Sequence, residues 1–429
     1  MSELPKTIST SQGVALAVSM VIGSGLLGLP GIALAETGAH ATAVAWVATS
    51  AAAIPLVAVF ARLGVRFASA AGLARYAEEA AGAWAGFGVT AVAAGSLVIG
   101  VPALYVIGGS YARRLVGAPP GSVRWFALGL LVVVVVANLA GVRVAGIVNG
   151  ASVAAVAAVV LVVVVRNAGF VTEGARTAWD GVAGGASLAD VWRACLLIFW
   201  AFLGWENVSF GLEEFRDRAR IPRVYWLSFV LVVALYVGLG FTTAGALESG
   251  RDVQGASGLA ALLGDDVLAD VLLVVMVLVI AANANAWVFG ASRFLYGAGR
   301  SGALPAYLGT LSPRGVPVAS LVTLLGCYVP MILVTTYWGP SIDTLILIVG
   351  QNLTVLYAFS VFAYWKTERG PARWPVTLLS LASCAFLLSG VGWWIVCPLV
   401  LLALGYARYR RAHGATPADD AIAPAGRGA

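Results

Sequence analysis

Charge is scarce in this sequence. Asp, Glu, Lys and Arg make up 11% of its 429 residues, and only two of the cations are lysines, Lys6 and Lys366. A soluble domain carries roughly 25% charged residues, so a soluble protein of this length is excluded. Histidine is nearly absent too. His40 and His413 stand at or beyond the ends of apolar segments and cannot build a metal site inside a membrane. The four cysteines, Cys195, Cys327, Cys384 and Cys397, all lie in apolar stretches. They have neither metal-ligand nor disulfide-framework spacing and are expected to be small buried apolar residues. No nucleophile–base pair, His/carboxylate cluster or cofactor motif is present. An enzyme is therefore not expected, and neither is a cofactor or metal.

What is abundant is apolar: 60% of residues are hydrophobic, with a mean hydropathy of +0.92. These values predict an all-α polytopic membrane protein forming a single domain over 1–429. Stretches long enough to cross a bilayer fall at about 12–35, 41–61, 84–110, 124–140, 147–165, 193–212, 224–246, 267–290, 316–336, 341–364, 374–390 and 391–407, which gives twelve predicted transmembrane helices. Met1 to Lys6 shows no cleavable signal pattern, so the first span is expected to be an uncleaved anchor.

The basic residues test this layout, because cytoplasmic loops attract Lys and Arg. With the N-terminus inside, nineteen of the 26 fall in cytoplasmic segments and seven outside. The bias predicts cytoplasmic N- and C-termini. It also explains the net charge of +6 without a nucleic-acid partner. Arg216, Arg218, Arg220 and Arg223 are most simply topology determinants of this kind. Between spans 2 and 3, Ala74 to Ala80 reads as a short amphipathic interfacial helix. The external stretch 166–192 has no usable motif. The tail, 408–429, is expected to be cytoplasmic and disordered from about His413, being rich in Ala, Gly, Pro and Asp.

The first span contains Val21-Ile22-Gly23-Ser24-Gly25-Leu26-Leu27-Gly28-Leu29-Pro30-Gly31. Glycine weakens a helix and bares its backbone, and bare backbone within a bilayer needs protein or a wet cavity around it. Taken alone, Gly23-Ser24-Gly25 supports either a broken helix or a packing face for a neighbour. Five spans later, Phe199-Trp200-Ala201-Phe202-Leu203-Gly204-Trp205-Glu206-Asn207 supplies a second weak point, with a carboxylate and an amide after Gly204. Because five spans separate the breaks, the unit starting at each has the opposite orientation. This predicts inverted repeats over 12–165 and 193–364, with helices 11 and 12 (374–407) outside them.

Ile22-Gly23-Ser24-Gly25-Leu26, Phe199 to Glu206, Glu214-Phe215-Arg216-Asp217 with Ile221-Pro222-Arg223, and Gly299-Arg300-Ser301-Gly302-Ala303-Leu304-Pro305 together carry a resemblance. Over nearly its whole length the chain resembles the amino acid–polyamine–organocation superfamily. Within that superfamily it is most similar to bacterial methionine and branched-chain amino acid permeases and exporters. The resemblance implies a leucine-transporter-like fold of five plus five helices and two extra, in the plasma (inner) membrane. It implies secondary transport by alternating access, with an amino acid as small-molecule partner, the lipid bilayer as surroundings and protons as a candidate coupling ion. The protein would be a monomer or a homodimer.

Candidate site residues follow from both readings. The N–H groups of the half-helix restarting near Gly25 point at an anion. An α-carboxylate fits there, so Ile22, Gly23, Ser24, Gly25 and Leu26 are expected at the substrate. Carbonyls around Phe199, Trp200 and Ala201 would accept from the α-ammonium, with Gly204 as the break. Trp200 is either core or, as the resemblance to arginine–agmatine antiporters implies, an aromatic that closes over the substrate from outside. Glu206 lies about 10 Å inside Glu213-Glu214. A carboxylate at that depth is functional by default, in gating or proton exchange, unless it stays protonated or reaches water. In span 8, Asn283 and Trp287 share a face and Asn285 points elsewhere. Trp287 stands where the resembling antiporters pack a Trp on the substrate, whereas the two asparagines are also plausible glue between helices. Ser96, Gly100, Pro102 and Tyr105 in span 3, and Gln351, Asn352 and Tyr357 in span 10, are lesser candidates for the pocket wall.

A pocket with one carboxylate and no base suits a zwitterion with an apolar side chain, such as methionine, leucine, isoleucine or valine. Coupling is less specified. Some proton-coupled relatives carry a Lys in span 5, but here Ile147 to Val153 has none. In span 8, Ser292 is a lone hydroxyl near the inner end. Efflux, exchange or proton coupling through Glu206 is expected. A sodium-coupled symporter on the same fold is the alternative, and a channel a distant one.

Overall fold

The structure, a computed structural model, describes residues 8–22, 24–68, 72–140, 142–209, 212, 215–264, 267–313, 315–337, 342–389 and 392–413. Gly23 and the stretch 414–429, and so nearly all of the tail expected to be disordered, lie outside the described residues. Helices dominate, and the one β-type contact among the described residues is a parallel bridge between Ile8 and Phe215.

Helix α1 (Thr10–Val21) begins at Ser9. The Ser9 hydroxyl accepts from the Gln12 N–H, and the Gln12 side chain accepts from the Ser9 N–H, a reciprocal cap. The Arg216 N–H donates to the Ile8 carbonyl at 3.1 Å, which ties the start of α1 to the segment following the second broken helix. Helix α2 (Ser24–Arg66) holds the rest of predicted span 1 and all of span 2. It turns at Gly38, where φ is +72°, a conformation open to glycine and rare for other residues. The short α3 (Leu73–Ala81) buries Leu73, Tyr76, Ala77 and Ala80, one face at helical spacing. That face packs against α4 (Ala83–Leu115) and α13 (Ile342–Thr367), so protein covers the apolar stripe of the predicted interfacial helix.

The remaining helices are α5 (Val123–Ala140), α6 (Val142–Arg166), α7 (Ala168–Asp180), α8 (Leu188–Ile198), α9 (Trp205–Ser209), α10 (Ile221–Glu248), α11 (Val267–Arg300), α12 (Val318–Tyr337), α14 (Arg373–Leu388) and α15 (Val396–His413). Helix α7 lies in the stretch 166–192, in which the sequence showed no motif, and it packs closely on α10. By length and apolarity, eight helical runs among the described residues can cross a membrane, or ten if each of two bent pairs counts once. That is fewer than the twelve predicted stretches. Residues 10–66 form one run, and the pairs near 154–185 and 373–413 bend by 84° and 118°. Exposed side chains along the middle of α5, α10 and α12, among them Val132, Val133, Leu227, Val230 and Val322, are apolar, as suits a lipid-facing surface.

The segment following α10 folds back over α2. The Gly255 N–H donates to the Gly31 carbonyl at 2.9 Å, the Gln254 side chain to the Leu34 carbonyl at 3.4 Å, and Val253 is fully buried.

Candidate functional site

Two helices are interrupted, and the interruptions touch. The first lies between Val21 and Ser24, with Ile22 in an extended conformation. In the second, α8 gives way to a tight turn over Phe199–Phe202 and an extended Leu203. Gly204 then stands at φ +123°, before α9 starts. A Cβ on Gly204 would lie 2.7 Å from the Met20 carbonyl oxygen and 3.1 Å from the Val21 Cα. Glycine is thus required twice over at this position, for its conformation and for the close approach.

Beside this junction is a cavity of about 50 Å³, several times the ~10–15 Å³ that one water occupies on that scale. The first break contributes Met20 and Val21, α3 contributes Leu73, and α4 contributes residues from Ala93 to Leu104, including Ser96 and Gly100. The second break gives Trp200, Leu203, Glu206 and Asn207; α11 gives Asn283 and Trp287; α13 gives Val349, Leu353 and Leu356. Of the residues singled out as principal site residues in the sequence, Trp200, Glu206 and Trp287 reach the cavity wall. Ile22, Leu26, Phe199 and Ala201 are buried and stand off it. Phe199 instead lines a second cavity of about 10 Å³ with Gln351 and Thr354. Ser24 and Gly25 open α2. Among the lesser candidates, Ser96 and Gly100 line the main cavity. Pro102, Tyr105 and Asn352 are buried away from it, and Tyr105 packs on Tyr328 with ring centroids 6.2 Å apart.

Glu206 is 3% exposed, and its carboxylate is closely held. Both oxygens accept from the Gly204 N–H at 3.0 Å, so the side chain folds back on the start of its own helix. The Tyr357 hydroxyl also donates to it. Tyr357 thus acts behind the wall, connecting α13 to α9, and Phe60 and Phe199 pack on its ring. Neighbouring Asn207 is 1% exposed, and neither atom of its amide has a partner among the described residues. Burying an amide without partners costs about 1–3 kcal/mol.

The two asparagines of α11 separate as their spacing implies. Asn285 accepts from the Asn138 amide at 2.8 Å and joins α11 to α5. Asn283 faces the cavity and donates to the Ser19 carbonyl at 2.9 Å, with the Ile22 carbonyl 3.5 Å away. Tyr236 of α10, which sequence reasoning missed, is fully buried. Its hydroxyl lies 2.9 Å from the Val21 carbonyl and 2.6 Å from the Ala201 carbonyl. The available signal was a phenol midway along an apolar span.

A cavity at two facing helix breaks, in an all-helical apolar chain, is how a transporter holds a small solute. Residues 8–405 match the amino acid permease family. The chain belongs to that family. It is thus a multi-pass membrane amino acid permease and not an enzyme. It is 26% identical over 419 residues to an uncharacterized amino acid permease, YecA, of Bacillus subtilis, covering 95% of this chain and 96% of that one. It is 25% identical to the L-methionine/branched-chain amino acid exporter YjeH of Escherichia coli, over 94% of this chain and 96% of the exporter. The b(0,+)-type amino acid transporter 1 of Homo sapiens is 25% identical over 76% of this chain and 69% of its own length. Among solved structures, MhsT in complex with L-phenylalanine aligns with a TM-score of 0.66 at 14% identity, over 94% of this chain and 99% of that one. That likeness establishes a shared, leucine-transporter-like fold.

Proposed function

We propose that this permease moves neutral, apolar amino acids such as methionine, leucine, isoleucine and valine by alternating access, through export or exchange. The observation that carries the reading is the character of the cavity. Aliphatic side chains from α1, α3, α4 and α13 and two indoles form nearly all of its wall, and its one carboxylate, Glu206, is already held by Gly204 and Tyr357. A cationic side chain would meet little to offset its desolvation, whereas an aliphatic one matches the wall.

In this reading the restarted half-helix at Ser24 and Gly25 receives the α-carboxylate, and carbonyls of the second break receive the α-ammonium. Trp200 and Trp287 flank the side chain. The two breaks are counterparts in inverted repeats, 12–165 and 193–364, of a twelve-span chain in the plasma membrane with both termini cytoplasmic. Export is preferred because the Escherichia coli relative is named an exporter.

The test is counterflow in proteoliposomes against all twenty amino acids. Saturable exchange confined to neutral apolar substrates is expected, and preference for a basic or acidic amino acid would overturn the reading. Gly25→Trp should abolish exchange; retained saturable exchange would remove the first break from the site. Glu206→Gln should keep binding and flatten the pH dependence of transport, and an unchanged pH profile would remove the proton from Glu206's role.

A further inference from the structure

Withdrawing a guanidinium from water is costly unless an anion answers its charge. Arg373, the first residue of α14, is half-buried. Its Nε has no hydrogen-bond partner among the described residues, and no carboxylate there forms an ion pair with it. We propose that Arg373 and the two indoles around it, Trp365 and Trp374, form a binding site for the phosphate headgroup of an anionic phospholipid. Binding of this kind is independent of the transport reading above.

The geometry grips the guanidinium between rings. Its Cζ stands 4.9 Å from the centre of the Trp365 ring and 5.4 Å from that of Trp374. The two indoles meet edge to face at 6.4 Å, and Phe362 stacks on Trp365 at 5.8 Å. Stacking leaves the N–H edge of the planar fork for binding, and that edge matches two oxygens of one phosphate. The surroundings are cationic. Arg62 and Arg66 at the end of α2 adjoin Lys366 and Arg369 in the turn that leads to Arg373. Glu368, the acidic residue of that turn, accepts from the N–H groups of Arg369 and Gly370.

Two features favour a lipid over a soluble anion. Trp374 and Phe362 are exposed, at 56% and 42%, as aromatic side chains are at a membrane interface. Along α14, Leu378 and Leu381 are also exposed. They stand four and seven residues after Trp374, on one stripe of the helix, so an acyl chain leaving the headgroup would run over apolar side chains. Basic pockets between spanning helices take anionic headgroups in this way, whereas inorganic phosphate would use the guanidinium and leave the stripe bare. The site also adjoins the working part of the molecule. Helix α13 gives Leu356 to the main cavity and Trp365 to this site, about 14 Å further along its axis. A bound lipid would fix that end of α13 at the level of the headgroups.

The test uses the full chain, purified in detergent. Native mass spectrometry with equal amounts of phosphatidylglycerol and phosphatidylcholine should show phosphatidylglycerol retained in preference. Added phosphatidylglycerol should raise the melting temperature by about 2 °C or more, and inorganic phosphate at the same concentration should leave it unmoved. Arg373→Gln should weaken phosphatidylglycerol retention about tenfold, the effect of losing a charged hydrogen-bond donor. Arg373→Lys keeps the charge without the fork and should recover only part of it. Arg369→Gln removes an equal charge from the same turn but not from between the indoles, and should retain the lipid nearly as the wild type does. Trp374→Leu changes an exposed ring and leaves Arg373 in place, so it reads the site even if Arg373→Gln fails to fold; retention should drop several-fold. Three results would overturn the proposal. One is equal retention of the two lipids by the wild type. Another is a loss in Arg369→Gln as large as in Arg373→Gln, which would mean diffuse attraction to a basic surface. The third is stabilisation by phosphate alone, which would mean a soluble-anion site.

Discussion

Gly204 and Gly38 both have positive φ, but they differ in what surrounds them. A Cβ at Gly38 meets nothing within 4 Å, whereas one at Gly204 collides with the backbone of Met20. Gly38→Ala should therefore cost only the conformational strain, about 1–3 kcal/mol, and lower the melting temperature with transport retained. Gly204→Ala must also push the two breaks apart. It should reduce leucine exchange by at least about tenfold, the effect of ~1.4 kcal/mol at the site, and the pair of variants measured side by side separates strain from collision. At the cavity wall, Trp287→Ala removes a large part of one side and should shift preference among competitors from leucine towards phenylalanine or tryptophan. An unchanged competitor ranking would place Trp287 outside the selectivity wall.

At the scale of elements, the turn joining α13 to α14 is fastened within itself and to the end of α2. The Glu368 carboxylate accepts from the N–H groups of Gly370 at 2.9 Å and Arg369 at 3.0 Å. The Arg66 side chain donates to the Thr367 carbonyl at 2.6 Å. Those backbone donors, led by Gly370, and the nearby Arg62 and Arg66 guanidinium groups hold the Glu368 carboxyl below the usual carboxylate range. A carboxyl depressed on folding stabilises the protein above its unfolded value, and that contribution is lost as pH falls through the folded one. Melting temperature should therefore fall on acidification below the ordinary glutamate range, by less in Glu368→Gln than in wild type.

The elements also divide into those legible in the sequence and those not. The two breaks were legible because glycine within an apolar span is costly and must be compensated, and Glu206 because a carboxylate at that depth needs a reason. The walls formed by α4 and α13 were legible only in part, at Ser96 and Gly100. A helix apolar on every side carries no stripe to distinguish the valine facing a cavity from the valine facing lipid. Leu73 reaches the cavity only because α3 packs on α4 and α13, a long-range fact that its own amphipathic pattern does not contain. Phe199 fell next to the site in sequence but on the opposite side of a tight turn.

For the whole molecule, the predicted orientation can be measured. With both termini cytoplasmic, a reporter fused after residue 429 should be active only inside the cell. A reporter inserted at Asp252, in the connection between α10 and α11, should be active only outside. Reversed activity at either position would overturn the arrangement drawn from the basic residues.

The strap from Val253 to Gly255 opens a way to watch the molecule work. It is bonded to Gly31 and Leu34, so a dye placed on it would ride with the first half of α2. The native thiols interfere little, since Cys195 and Cys384 are buried and Cys327 and Cys397 half-buried. Asp252 is exposed beside the strap, and Asp252→Cys would offer one fast-reacting thiol remote from the cavity. Its fluorescence, followed in single molecules, would time each excursion of the broken helix without a probe entering the space where the solute binds.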